Sequence, residues 1–220
     1  MGLVLLAGMG RPGTPLFASL LARVQPKRVA ISLAAMAAEP ALVKKALGWF
    51  AGRAFGDAEV ERFAVEGERD AQKPADARAI VERADLIYLA GGDPVVGAEV
   101  LRKSGADAWL RAARRRGAHL AGGSAGSILL GAAWARWPDE PDGKPFDGGT
   151  LVECTGVIPD LVVDTHAEED DWAELELVAG MLAAQKRAPR LYGIPTNGAL
   201  IVHPDGRLEP AGDPPFVLRA

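Results

Sequence analysis

The apolar positions of this chain fall in short unbroken runs, separated by segments with helical spacing. Leu3–Ala7 is predicted as the first strand, Leu16–Arg23 as the first helix and Arg28–Ala34 as the second strand. Ala41–Phe55 places Leu42, Ala46, Trp49 and Phe50 on one side, the stripe of an amphipathic helix. A third strand at Val60–Val65 and a helix at Ala75–Arg83 follow. The next strand, Leu86–Ala90, runs into Gly91-Gly92-Asp93-Pro94. Pro94–Arg102 and Ala106–Arg116 read as helices, and His119–Ala121 as another strand. Strands apolar on both faces that alternate with helices imply a parallel sheet covered on both sides. The expected fold class is therefore α/β, a three-layer α/β/α arrangement around a mostly parallel central sheet.

The pattern changes at Trp134–Thr150 (WARWPDEPDGKPFDGGT), where Pro, Gly and Asp dominate and a long loop is predicted. Strand-like runs return at Leu151–Cys154 and Val157–Val163. A helix is expected from about Glu168 to Lys186, with Trp172, Leu175, Val178, Ala179 and Leu182 as its buried stripe. Glu168, Glu169, Asp170 and Asp171 stand at its start, and Lys186, Arg187 and Arg190 at its end, in the sense the helix dipole favours. Ala199–His203 and Arg207–Glu209 flank a Pro-Asp-Gly turn as a strand pair. No repeat or linker interrupts the 220 residues, so one domain over 1–220 is expected.

Composition narrows the function classes. The net charge of −4 gives no electrostatic case for nucleic acid or an anionic membrane. The basic stretch Arg111–Arg116 reads as a solvated helix face. No apolar run reaches the roughly 18 residues of a membrane span. The N-terminal apolar run lacks a basic leader and reads as a strand rather than a signal peptide. A single cysteine, Cys154, excludes an internal disulfide and fits a reducing, cytoplasmic compartment.

The chemistry concentrates at Gly122-Gly123-Ser124-Ala125-Gly126, a G-x-S-x-G run directly after a strand. Glycines beside the serine permit the sharp strand-to-helix turn that exposes a nucleophile above a sheet edge. The N–H of Ala125 would then point at a developing oxyanion, and Gly91-Gly92 at the end of the fourth strand can supply a second donor. A serine hydroxyl needs a base. Of the three histidines, His119 lies on the strand before the turn and His203 beside the Pro-Asp-Gly turn, where it looks exposed. His166 follows the apolar run ending Asp164-Thr165, at the strand end where ligands bind in such folds, and is the candidate base.

These residues resemble the serine peptidase family of peptidase E (aspartyl dipeptidase) and cyanophycinase. The resemblance is carried by Leu89-Ala90-Gly91-Gly92-Asp93, by the Gly122–Gly126 run, by Thr155–Pro159 with Val163–His166, and by Gly193-Ile194 with Ala199–Val202. It implies a class I glutamine amidotransferase-like, flavodoxin-like fold. It implies Ser124 as nucleophile, His166 as base, Gly92 and Ala125 as oxyanion donors, and Gly91, Asp93 and Gly123 as substrate-binding positions. A small peptide or amide substrate, no cofactor and no metal are expected, with a homodimer kept open as the assembly.

Two departures stand out. The family's third triad member is usually an acid in a Gly-x-x-Glu turn, where this chain has Gly193-Ile194-Pro195-Thr196 and then Asn197. Thr196 or Asn197 is the expected geometric equivalent. Asp139 in the long loop is a substitute acid, as is Asp164, two residues from His166 on the same predicted strand face. A neutral third member orients an imidazole without stabilising its charged form. The second departure is the acidic run Glu168–Asp171 where many relatives carry arginines. That disfavours an acidic substrate, although acids at a helix start need no substrate. A catalytically impaired relative that binds a ligand or partner in the same pocket is the alternative function. The Gly8–Gly13 run matches G-x-G-x-x-G, but Pro12 and Pro15 remove donors a pyrophosphate would use, and no acid ends the second strand.

Overall fold

The computed structural model describes residues 1–9, 12–50, 54–138 and 149–218. Its strands and helices alternate as the hydrophobic pattern predicts. In chain order they are β1 (Val4–Ala7), α1 (Pro15–Val24), β2 (Arg28–Ser32), α2 (Pro40–Phe50), β3 (Glu59–Arg62), α3 (Pro74–Arg83), β4 (Leu86–Leu89), α4 (Pro94–Lys103), α5 (Ala106–Arg116), β5 (His119–Gly123), α6 (Ala125–Leu129), β6 (Ala133–Arg136), β7 (Thr150–Glu153), β8 (Leu161–Thr165), α7 (Ala173–Ala184), β9 (Arg190–Ile194), β10 (Gly198–Val202), β11 (Leu208–Gly212) and β12 (Phe216–Leu218).

The main sheet has seven strands in the order β11-β10-β1-β5-β4-β2-β3. From β1 to β3 every pairing is parallel, while β10 and β11 add an antiparallel edge. Alternation along β1 divides the core. Leu5 and Ala7 pack with Phe17, Leu20, Ala46 and Phe50 of α1 and α2. Val4 and Leu6 face the opposite layer, built by α3, α4, α5 and α6. Helix starts follow local chemistry: Thr14 caps α1 ahead of Pro15, and Asp93 caps α4 ahead of Pro94. A second sheet, β12-β9-β8, pairs β8 with β9 in parallel, and β6 with β7 forms a two-stranded ribbon.

Several expected boundaries shift. The first residues of the predicted loop continue a strand, because β6 pairs with β7 and buries Trp134 and Ala135; residues 139–148, including Asp139, lie outside the described residues. The strand expected at 157–163 forms at Leu161–Thr165, after a turn at Asp160. The helix expected from 168 is broken. Asp171 and Trp172 both take left-handed φ (50° and 62°), so Glu168–Asp170 is a separate 3₁₀ turn and α7 starts at Ala173. The face Arg111–Arg116 is not simply solvated. Arg114 is buried and donates to the Val157 carbonyl (2.8 Å), Arg111 donates to that of Thr155, and Arg116 to those of Val81 and Ala84. No helix of the described residues is long and apolar enough to cross a membrane.

Candidate active site

Ser124 stands at the carboxyl end of β5, between β1 and β4, where open parallel sheets place their ligands. Its backbone is strained, with φ 53° and ψ −130°. Backbone bonds from Ser124 N–H to the carbonyls of Ala7 (3.1 Å) and Gly8 (2.7 Å) hold it there. The glycines of the motif have steric reasons. A Cβ on Gly122 would lie 2.4 Å from the Gly126 carbonyl, and one on Gly126 would lie 2.0 Å from the Leu89 oxygen. Helix α6 can therefore rest directly on the ends of β4 and β5 only if both residues lack side chains.

His166 follows β8 directly. Its Nε2 lies 2.8 Å from Ser124 Oγ, a hydrogen bond across 42 residues of sequence. The backbone of His166 is left-handed (φ 49°), and its N–H donates to Ile194 O at 2.9 Å. That turn aims the imidazole at β5. Nδ1 of His166 makes no hydrogen bond among the described residues.

Two N–H groups have no acceptor among the described residues: Ala125, next to Ser124 at the first position of α6, and Gly92, which follows β4 and borders the same cavity as Ser124. Gly91 leaves open the space beside the serine, since a Cβ there would sit 3.5 Å from Oγ. Gly91, Gly123 and Ser124 border the same cavity. Asp93 has a structural role: its Oδ1 accepts from Val95 N–H (2.7 Å) and Val96 N–H (3.1 Å), which caps α4.

None of the described candidates for the third position meets the imidazole. Asp164 is 3% exposed; its Oδ1 accepts from Thr165 N–H at 2.7 Å and its Oδ2 has no partner among the described residues. The expectation that it shares a face with His166 fails because the left-handed turn at His166 ends the strand alternation. Burial pushes the Asp164 carboxyl up to about 7. The Thr165 N–H opposes that rise, and the nearby carboxylates of Glu174, Asp170 and Glu168 reinforce it. Asn197 is exposed and makes no side-chain bond to His166 among the described residues.

Thr196 turns to a different partner, Glu168, whose carboxylate accepts its N–H at 2.5 Å and also its hydroxyl. Partial burial works against the Glu168 charge. The hydrogen bonds from Thr196, the bond from its own N–H and the field of His166 outweigh that and hold the carboxyl below its ordinary value. The turn that would carry the family's acid thus binds an acid donated by the segment after His166. The parallel pairing of Thr165 with Ile194 brings the two turns together. Sequence reasoning took Glu168 for a helix-start acid. Its spacing of two from His166 was the available signal.

The remaining nucleophile and bases have other roles. Cys154 is buried, and that burial, with Glu153 nearby and Arg102 opposing, pushes its thiol up to about 12. His119 is half-buried, its Nδ1 accepting from Leu3 N–H at 3.1 Å, and desolvation lowers its pKa. His203 is largely buried rather than exposed, with its Nε2 2.8 Å from Glu209. Among the described residues no group of three or more His, Cys, Asp or Glu side chains is placed to hold a metal ion.

An α/β sheet carrying a strained serine at a strand-to-helix elbow, within hydrogen-bond reach of a histidine, defines a serine hydrolase type of site. The sequence model of peptidase family S51 matches residues 51–208, and the chain belongs to that family. Among solved structures, a peptidase from an acI-B1 Actinobacterium is similar over 100% of this chain and 91% of its own, at 20% identity and a TM-score of 0.77. A candidate peptidase E protein from Listeria monocytogenes EGD-e is similar over 97% of this chain and 100% of its own, at 18% identity and a TM-score of 0.67. At these identities the likeness shows the fold. A search of curated proteins gave no match.

Proposed function

We propose that this peptidase hydrolyses a short peptide or related amide through Ser124 and His166. The observation that carries the reading is the 2.8 Å contact between Ser124 Oγ and His166 Nε2. With its proton on Nδ1, the imidazole accepts the Oγ proton as Oγ attacks the scissile carbonyl carbon. The N–H groups of Gly92 and Ala125 receive the oxyanion, and His166 returns the proton to the leaving amine. Water then attacks the acyl-serine by the same route. Glu168 supplies the negative charge beside the imidazolium in place of the absent acid at 196, as a positioning residue held by Thr196.

A second reading, an impaired relative that binds a small ligand or a partner in this pocket, draws on the lack of a hydrogen bond at His166 Nδ1 among the described residues. A fluorophosphonate probe separates the two. The proposed activity requires covalent labelling at Ser124, lost in Ser124→Ala and strongly slowed in His166→Ala. An unlabelled wild-type protein would leave the binder ahead.

A further inference from the structure

The cavity that opens beside Ser124 is apolar. It encloses about 390 Å³, its walls include Met36, Leu42, Trp49, Phe50 and Tyr88, and Ser124 with its glycine neighbours closes one end. That volume lies within the range of roughly 300–1,000 Å³ typical of small-ligand sites. No carboxylate, ammonium, guanidinium or imidazole of a described residue lines it. The wall is rigid. The Tyr88 ring meets Phe17 edge-on at 5.4 Å and Phe50 at 5.7 Å, contacts that fix the ring planes. Trp49 stands at the cavity with 41% of its surface exposed, and the Lys45 ammonium lies over its ring, 5.2 Å from the centroid.

Position relative to the chemistry decides which part of a substrate the cavity meets. The cavity is bordered by Ser124 and by Gly91 and Gly92, the groups that would face the attacked carbonyl. His166, which would hand its proton to the leaving amine, is not among its lining residues. The leaving group therefore lies on the far side of Ser124, and the cavity faces the acyl side. A carboxylate entering it would shed water and find no charged partner among the described walls, an unfavourable exchange. An aromatic or branched aliphatic group loses nothing polar there and gains contact with rings already in place.

We infer that this cavity receives an apolar side chain on the residue whose carbonyl Ser124 would attack, so that the substrate class is peptides or amides with an aromatic or branched aliphatic acyl residue. The inference deepens the hydrolase reading and rests on it for the chemical step. The test uses two measurements on the full chain. In the first, aminoacyl 7-amido-4-methylcoumarins carrying Phe, Leu, Asp or Arg are compared by kcat/KM. Phe or Leu should exceed Asp and Arg by at least about tenfold, since a single methylene in an apolar pocket is already worth roughly 10–200-fold. Trp49→Ala should narrow that ratio. In the second, calorimetry follows phenylalaninamide and aspartamide binding to Ser124→Ala, which needs no catalysis. Preference for Asp or Arg in either measurement overturns the inference and leaves the hydrolase reading standing. Saturable phenylalaninamide binding that Trp49→Ala weakens, with no turnover of any coumarin, keeps the cavity assignment and ends the hydrolase reading. Absence of both turnover and binding overturns both.

Discussion

Glu168→Gln should lower kcat about ten- to hundredfold on any amide the protein turns over, with KM little changed. The substitution keeps the shape of the side chain and one oxygen to accept from Thr196 N–H, while it removes the charge and turns the second oxygen into an N–H donor. Charge matters most when His166 holds the serine's proton, so the loss falls on the transition state and therefore on kcat. The magnitude is set below the roughly 10⁴ cost of removing a buried triad acid bonded directly to the ring, because Glu168 is exposed and water screens it. Unfolding temperature should stay close to that of the unsubstituted protein, which together with the unchanged KM separates this role from a structural one. An unchanged kcat would remove Glu168 from the chemistry. Thr196→Glu, which restores the family's acid at its usual place, should fail to raise the rate, because it sets a second carboxylate against the one Thr196 already binds.

Much of the fold was legible because the central strands bury both faces. Short apolar runs such as Leu86–Leu89 and Val4–Ala7, alternating with segments of helical spacing, read as interior strands of a covered sheet. The elbow was legible for a related reason: glycines at 122 and 126 are what two backbones in van der Waals contact require, and the serine between them has no other use for such a turn. His166 could be picked from three histidines by its place at a strand end. Later parts of the chain read less well. Helix α7 starts late because Asp171 and Trp172 adopt left-handed φ, a state ordinary side chains resist and no local pattern announces. The arginines of α5 read as surface because their partners, carbonyls of the 155–157 turn, are distant in sequence. The third position was hard to read for the same reason. Reading position 196 alone finds a missing acid, whereas the contact between the 166–168 and 194–196 turns depends on the pairing of β8 with β9.

Asp164→Asn should change how stability depends on pH, and the direction follows from the burial of the carboxyl. In the folded protein Asp164 is protonated up to about pH 7, against an ordinary value of 3.8. Below about pH 4 both the folded and the unfolded chain carry the proton, and the group contributes no pH dependence. Between 3.8 and about 7 the unfolded chain releases the proton while the folded chain keeps it, so the folded state binds more protons and stability falls as pH rises. Above about 7 both forms are ionised and the loss is complete. A difference of this size corresponds to roughly 4 kcal/mol at about 1.36 kcal/mol per pH unit, and relaxation around the charge should leave about 2–4 kcal/mol. Glu174, half-buried and itself raised by desolvation with Asp170 adding to the rise, slopes the same way but in both proteins. Asn has the shape of Asp and does not ionise, so its unpaired amide shifts the whole curve by a constant. The informative quantity is therefore the difference between the two unfolding free energies across about pH 4 to 8, measured by urea denaturation. That difference should move steadily in favour of the Asp164→Asn protein as pH rises, and then level off. Parallel curves would show that Asp164 ionises in the folded protein at its ordinary value, reopening it as a charged neighbour of the site.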